Sequence, residues 1–469
     1  MTTSQVTSRR AADPAEAETR SAPPAAPREP HRAGRRVRLR LTGPRRLGAR
    51  AAVALLLLAA LCTTAVVGAV TVRADTSRLR TTVSERAAVA AQLRSALADL
   101  DAQHADTLAP GMSADGSGTY VGNQLQALIT AQQRRAQVSD ALRRLSGDSA
   151  HGALVRALLD GLGRYDDLSG RAAFVDEQAP DRLAGHPPAV TVAMNAQAGA
   201  VMTQTLLPDA DALAADYQRQ AGLDASRVRA DTRHRIAAVG LLGAATLLFL
   251  LWWQRELARD YRRLLSPPLV AGTAAVLAVC LAGVVALGSC ASAADTADGQ
   301  GLRPWSRLAE ASAVAAQAAA AESRWFVQGD DLGRSDAALY ATLTGRLDTL
   351  LAPDGQATAA ERPAYEDVLT RYRRFRADDA ALRRLKGEGR TDQAAVLLTT
   401  VGRGDIAFDF WDFATTLDAL AARQLDDFAA HAADARDALD GWPAVPAGAL
   451  GASALLSLLA VRPRLAEYR

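Results

Sequence analysis

The sequence predicts an all-α fold: a polytopic membrane protein with four transmembrane helices and two extracytoplasmic antiparallel four-helix bundles arranged as a duplication. Three observations predict it. Four uncharged stretches of about the length that spans a bilayer punctuate the 469-residue chain. Arginines gather in the short pieces that four crossings put on one side. The two long polar intervals between crossings break into helices at similar places.

The apolar stretches are 51–72, 236–253, 269–288 and 442–461, and none contains Asp, Glu, Lys or Arg. One such charge at a helix centre costs roughly 2.5–3.5 kcal/mol on insertion scales, so a charge-free run is the discriminating signal. The last stretch is richest in Gly, Ala and Pro, which contribute least to transfer. The first is too long, and too far from the N-terminus, for a cleaved signal peptide. Trp252 and Trp253 close the second stretch and Trp442 opens the fourth, as interfacial anchors do.

Orientation follows from the flanks. Residues 1–50 carry twelve arginines against four acids. The 254–268 loop holds Arg255, Arg259, Arg262 and Arg263 against Glu256 and Asp260, and the 462–469 tail holds Arg462, Arg464 and Arg469 against Glu467. Cytoplasmic flanks collect arginine, so both termini are expected inside a cell membrane. The Pro/Ala/Ser-rich tail is expected to be disordered and to meet anionic lipid rather than nucleic acid.

The intervals 73–235 and 289–441 are rich in alanine, which loses least on entering a helix. Gly, Pro, Asp and Ser clusters break the first at 109–122, 146–149 and 176–188, and the second at 328–333, 351–357 and 386–392, with a minor break at 402–405. Each interval therefore reads as about four helices. Leu158, Leu159, Leu162 and Tyr165 recur at helical spacing, the mark of one buried face. Arg164-Tyr165-Asp166-Asp167 and Arg374-Phe375-Arg376 precede the next crossing by nearly the same distance, which points to internal duplication.

Catalytic chemistry is not expected. No HExxH, G-x-S-x-G, P-loop or kinase motif occurs, and the six histidines are scattered, so neither metal nor cofactor is expected. The three cysteines lie in or beside apolar runs without a CxxC pair. Charge-free crossings also argue against ion-coupled transport. Aromatic residues make up only 5% of the chain, so two clusters stand out: Arg324-Trp325-Phe326, and 408–413 with Asp409 and Trp411. Core packing accounts for most of such clusters. Arg324, Trp325, Phe326, Asp409 and Trp411 are the candidate ligand or partner contacts, and Arg255, Arg259, Arg262 and Arg263 the candidate cytoplasmic contacts.

The run Gly389-Arg390-Thr391-Asp392-Gln393-Ala394-Ala395-Val396-Leu397-Leu398 resembles a short stretch before the last helix of chemoreceptor-type four-helix-bundle sensor domains. The whole layout of basic tail, four crossings, two outer helical intervals and a small inner loop resembles a family of actinobacterial membrane linkers. These join an extracytoplasmic amino-acid-binding lipoprotein to the soluble Ser/Thr protein kinase G. That resemblance implies relay of a nutrient signal between such partners, with no residue-level motif to carry over. About 70 residues face the cytoplasm in this topology, too few for an output domain. The expected function is a non-enzymatic transmembrane signal transducer. Its rivals are a scaffolding envelope protein and an accessory transporter subunit.

Overall fold

A computed structural model of the chain describes residues 43–79, 81, 84–261, 267–352 and 358–466. Most of the basic tail, and Arg262 and Arg263 of the inner loop, lie outside them. The described chain is almost entirely helical. Helix α1 (Gly43–Arg78) carries the first apolar stretch and α2 (Ser84–Asp106) follows it. Next come α3 (Gln124–Leu145), α4 (Gly152–Glu177) and α5 (Ala189–Val201). A π-helical turn, Met202–Leu206, joins α5 to the 55-residue α6 (Leu207–Tyr261). After the inner loop, α7 (Pro267–Thr296) passes through a second π-helical segment, Ala297–Leu302, into α8 (Arg303–Leu332). Helices α9 (Arg334–Leu350), α10 (Arg362–Gly387), α11 (Thr391–Thr399) and α12 (Ile406–Asp437) complete the second interval, and α13 (Ala444–Ala466) holds the last apolar stretch.

Three helical rods are long and apolar enough to cross a membrane: Leu47–Arg78, Ala189–Arg259 and Pro267–Gly329. The apolar part of α13, Ala444–Ala460, is shorter. These apolar parts pack as a ring in which α1 and α7 each touch α6 and α13. Leu58, Leu61, Val276, Leu287 and Leu450 are buried between them. Leu56, Leu241, Leu248, Leu281, Val285 and Leu455 face outward and exposed. So large an apolar surface is at home against lipid chains, not water. Close approach uses small residues, as in membrane helix pairs: a Cβ on Gly283 would lie 2.9 Å from the Trp442 ring, and Ser453 Oγ donates to the Gly272 carbonyl at 3.2 Å. At the basic end Arg50 pairs with Glu256 at 2.7 Å, and at the other end Arg73 pairs with Asp440 at 2.9 Å.

The expected breaks at 109–122, 146–149, 176–188, 328–333, 386–392 and 402–405 are present, most of the one at 351–357 lies outside the described residues, and two features are added. The 109–122 segment forms a small antiparallel hairpin, β1 (Gly111–Met112) with β2 (Tyr120–Val121), in which Gly116 and Gly118 supply the positive φ that the turn needs. The 386–405 region also contains the two-turn α11, set off by Gly389 at φ 72° and Gly404 at φ 88°. Helices α9 and α10 begin 210 residues after α3 and α4, and α4 and α10 both have 26 residues. Tyr165 and Phe375 therefore occupy the same position on matching helices, and both are fully buried.

The two polar intervals do not build separate cores. One apolar cluster runs from Leu79 to Phe428, with α2 and α8 packed along each other at its centre. Alanine makes this possible and necessary. On α2, Ala87, Ala90, Ala98, Ala102 and Ala105 are buried, and on α8 Ala311, Ala315, Ala318 and Ala321. Helix α2 has no sustained polar face, and α8 is buried on nearly all sides from Ala311 to Val327, so a lone bundle would leave the back of each uncovered. The π-helical segment entering α8 is packed equally closely: a Cβ on Gly301 would lie 2.6–2.8 Å from Phe428 atoms, backbone included.

Candidate functional site

The alternating course of the helices puts the end of α2, the start of α3, the end of α4 and the middle of α5 at the polar body's far end from the apolar ring. There they enclose a cavity of about 360 Å³. Its wall is mostly apolar, with Leu108, Leu128, Ala131 and Ala172, and carries the polar groups of His104, Arg135, Asp166 and Asn195 together with Thr107, Gln132 and Ser169. The volume and this mixture are those of a small-molecule site. Arg135 is matched by Asp166, with Nε to carboxylate at 2.8 Å, so the two charges offset each other on the wall. Asn195 is 5% exposed, and its Nδ2 has no hydrogen-bond partner among the described residues. A buried amide donor left unmade costs about 1–3 kcal/mol, which an acceptor reaching it would offset.

From His104 a chain of polar contacts leads away from the cavity. His104 Nδ1 lies 3.0 Å from the Tyr165 hydroxyl, which itself donates to Asp101 Oδ1 at 3.1 Å. Burial and the adjacent Asp101 carboxylate push the Tyr165 hydroxyl well above its ordinary pKa, so it stays a donor. With that proton committed, Nδ1 of His104 must donate to the tyrosine oxygen. Burial also lowers the histidine's pKa, which keeps the ring neutral and leaves Nε2 as an acceptor. Asp101 in turn takes the guanidinium of Arg324 from α8, and Arg324 Nε donates to Asp336 of α9 at 2.9 Å. Arg324 and Asp101 are each 3% exposed. Gly199 of α5 leaves the space: a Cβ there would lie 2.9 Å from Arg324 Cδ. The relay thus joins α2, α4, α8 and α9, and passes against α5.

Further acids flank it. Glu322 is buried beside Asp379, and burial with that neighbouring carboxylate raises its pKa well above the usual range. Asp106 is half-buried, but its Oδ1 is enclosed without a partner among the described residues, and desolvation pushes its pKa up to about 7, against the opposing hydrogen bond from Ser323. A folded pKa above the unfolded 3.8 means the folded state holds the proton more tightly. Its contribution to stability is therefore full below about pH 4 and is lost as pH rises to about 7. Asp106→Asn should remove this dependence. Relative to the parent, the variant should gain on the order of 2–4 kcal/mol between pH 4 and pH 7.5, as measured by unfolding in detergent. A parallel pH profile for both proteins would refute the assignment.

The residues singled out in the sequence divide among several places. Arg324 is the hub of the relay. Trp325 is half-buried, with Lys386 Nζ 4.2 Å and Arg383 4.4 Å from its ring centre. Lys386, the only lysine in the chain, also donates to the Trp325 and Phe326 carbonyls at 3.0 and 2.9 Å, and Phe326 is buried. Asp409 is buried near Asp378, whose carboxyl is pushed up to about 7 by burial and by Asp409. Trp411 is 55% exposed, with Phe408 at 5.9 Å. The two aromatic clusters keep separate neighbours and form no common site. Arg255 and Arg259 are exposed on the last turns of α6.

Sequence reading missed His104 and Asn195. The available signal for the first was the set Asp99, Asp101, His104 and Asp106, four polar residues within one turn or two of each other in an otherwise alanine-rich helix.

Residues 75–225 match a family described as the actinobacterial sensor domain. The match covers about a third of the chain and takes in the whole cavity wall. No curated protein and no solved structure matches the chain.

Proposed function

We propose that the chain is a non-enzymatic transmembrane signal transducer with four crossings and both termini cytoplasmic, in which the polar body is the extracytoplasmic sensor. Its layout is a duplication whose halves meet along α2 and α8. Helical continuity carries this reading. Asn195 sits on a rod that runs from α5 through the π-helical turn and α6 to Tyr261, and Arg324 sits on one that runs back through α8 and α7 to Pro267. A displacement at either residue is handed along a rod of the kind that crosses a membrane, with no loop to absorb it. Shifts of about 1–2 Å are the usual scale for such helices, and a signal passes only if the ligand prefers one arrangement.

The fourth crossing is supported by the apolar part of α13, Ala444–Ala460, which rises about 26 Å between Trp442 and Arg462, so that modest thinning of a hydrocarbon core lets it span. Orientation is supported by the ring itself, which brings Arg50 and the Arg255/Arg259 turns to one end. That end presents the surface for a cytoplasmic Ser/Thr kinase, and the polar body the surface for an amino-acid-binding lipoprotein; both partners come from the layout's resemblance. The test is a pull-down of the full chain in mild detergent, with and without added amino acids. The expected result is a cytoplasmic kinase whose recovery changes with the additive. An identical set of partners in every condition, with no kinase among them, overturns the proposal.

A further inference from the structure

The far-end cavity restricts what it can hold, and the restriction comes from its charge balance and from the hydrogen-bonding groups on its wall. Arg135 is matched by Asp166, and His104 is neutral, so the wall offers no net charge to a ligand. An ion entering it would lose water without gaining a counter-charge, unless it broke the Arg135–Asp166 pair. Two of its polar groups matter most: Asn195 Nδ2, a donor without a partner among the described residues, and His104 Nε2, an acceptor by the tautomer that Tyr165 imposes; Thr107, Gln132 and Ser169 line the wall beside them. The rest of the wall is largely methyl and methylene, from Leu108, Leu128, Ala131 and Ala172.

We infer that this cavity binds a small uncharged molecule with an apolar body and an amide-type polar end, whose carbonyl accepts from Asn195 and whose N–H donates to His104. This names the ligand class of the sensor proposed above and rests on that reading for its consequence, though not for its chemistry. The ligand sits at the point where α5, the head of one crossing rod, meets the relay to α8, the head of another. Filling the cavity holds Asn195 and His104 to a common body, and so links the two rods.

The test uses the full chain in detergent and four probes of similar size: acetanilide, N-methylacetanilide, benzoate and benzylammonium, with binding followed by ligand-observed NMR. Acetanilide should bind. N-Methylacetanilide, which has lost the N–H, should bind at least about fivefold more weakly, and the two ions at least about tenfold more weakly. Asn195→Leu should weaken acetanilide by about tenfold or more. Gly170→Phe supplies a variant whose folding is not at risk. Gly170 is an exposed residue inside α4 that lines the cavity, and a Cβ there meets no atom within 4 Å. Replacing a helix-interior glycine favours the helix, while the ring blocks the mouth and should abolish acetanilide binding. Benzoate or benzylammonium binding as tightly as acetanilide, or acetanilide binding unchanged in both variants, overturns the assignment. The outcomes separate from those of the proposed function. Binding of acetanilide without any change in the partners recovered would leave the site standing and count against transduction. Absence of binding alongside ligand-dependent partners would do the reverse.

Discussion

Arg324→Met should cost the polar body about 3–5 kcal/mol, the largest loss expected from any single charge in the protein. The guanidinium is enclosed between Asp101 of α2 and Asp336 of α9, at the seam where the two intervals share their core. Its removal strands two carboxylates that hydration cannot reach. Each must take up a proton or draw in water, and the seam loosens either way. The charges are costly to bury even when paired, so removing all of them together is a different experiment. Arg324→Met with Asp101→Asn and Asp336→Leu keeps an acceptor for the Tyr165 hydroxyl and leaves no charge at these three positions. It should recover most of the lost stability while severing the link between His104 and α8. Unfolding of the single and triple variants in detergent checks the first claim, and ligand-dependent partner recovery by the triple variant checks the second. A triple variant as unstable as the single one would mean that the arginine acts by packing alone.

Phe375→Ala should cost about 3–5 kcal/mol, whereas Trp411→Ala should change stability by less than about 0.5 kcal/mol. Phe375 is fully buried at the meeting of α10 and α12, with ring centres 5.3 Å from Phe410 and 6.4 Å from Phe413, and Tyr372 lies 5.3 Å from Phe413. Its truncation opens a cavity that these stiff rings cannot close. Trp411 lies on the opposite side of α12 and is more than half exposed. The pair therefore separates the two faces of one aromatic cluster by a measured thermal midpoint. Equal losses in the two variants would show that Trp411 is covered in the native protein.

The sequence was most informative where one residue type dominates the physics. Charge-free runs mark the apolar helices because a single ionised group would be prohibitive there. Gly and Pro clusters mark the helix ends, down to the breaks before Arg334 and Arg362, because backbone conformation is a local property. The shared register of Tyr165 and Phe375 was legible because both are aromatic residues, and they stand at the same position in two helices of equal length. The relay was not legible. Asp101, Tyr165 and the Arg324–Asp336 pair come from three distant parts of the chain, and each residue in isolation is an ordinary polar residue on a helix. Arg324 attracted notice only through its neighbours Trp325 and Phe326, and for a different role.

By itself, then, the sequence determined that the chain is helical, where its helices begin and end, and which stretches are suited to lipid, since these follow from local propensity and from the cost of burying charge. The tertiary structure alone decided that the two polar intervals share a core along α2 and α8, that a buried arginine stitches them together, and that a cavity with a spare amide remains near their far end. Those features depend on which faces of alanine-rich helices meet. On α2 alanine gives every face nearly the same hydrophobicity, so no periodicity there records which side meets α8.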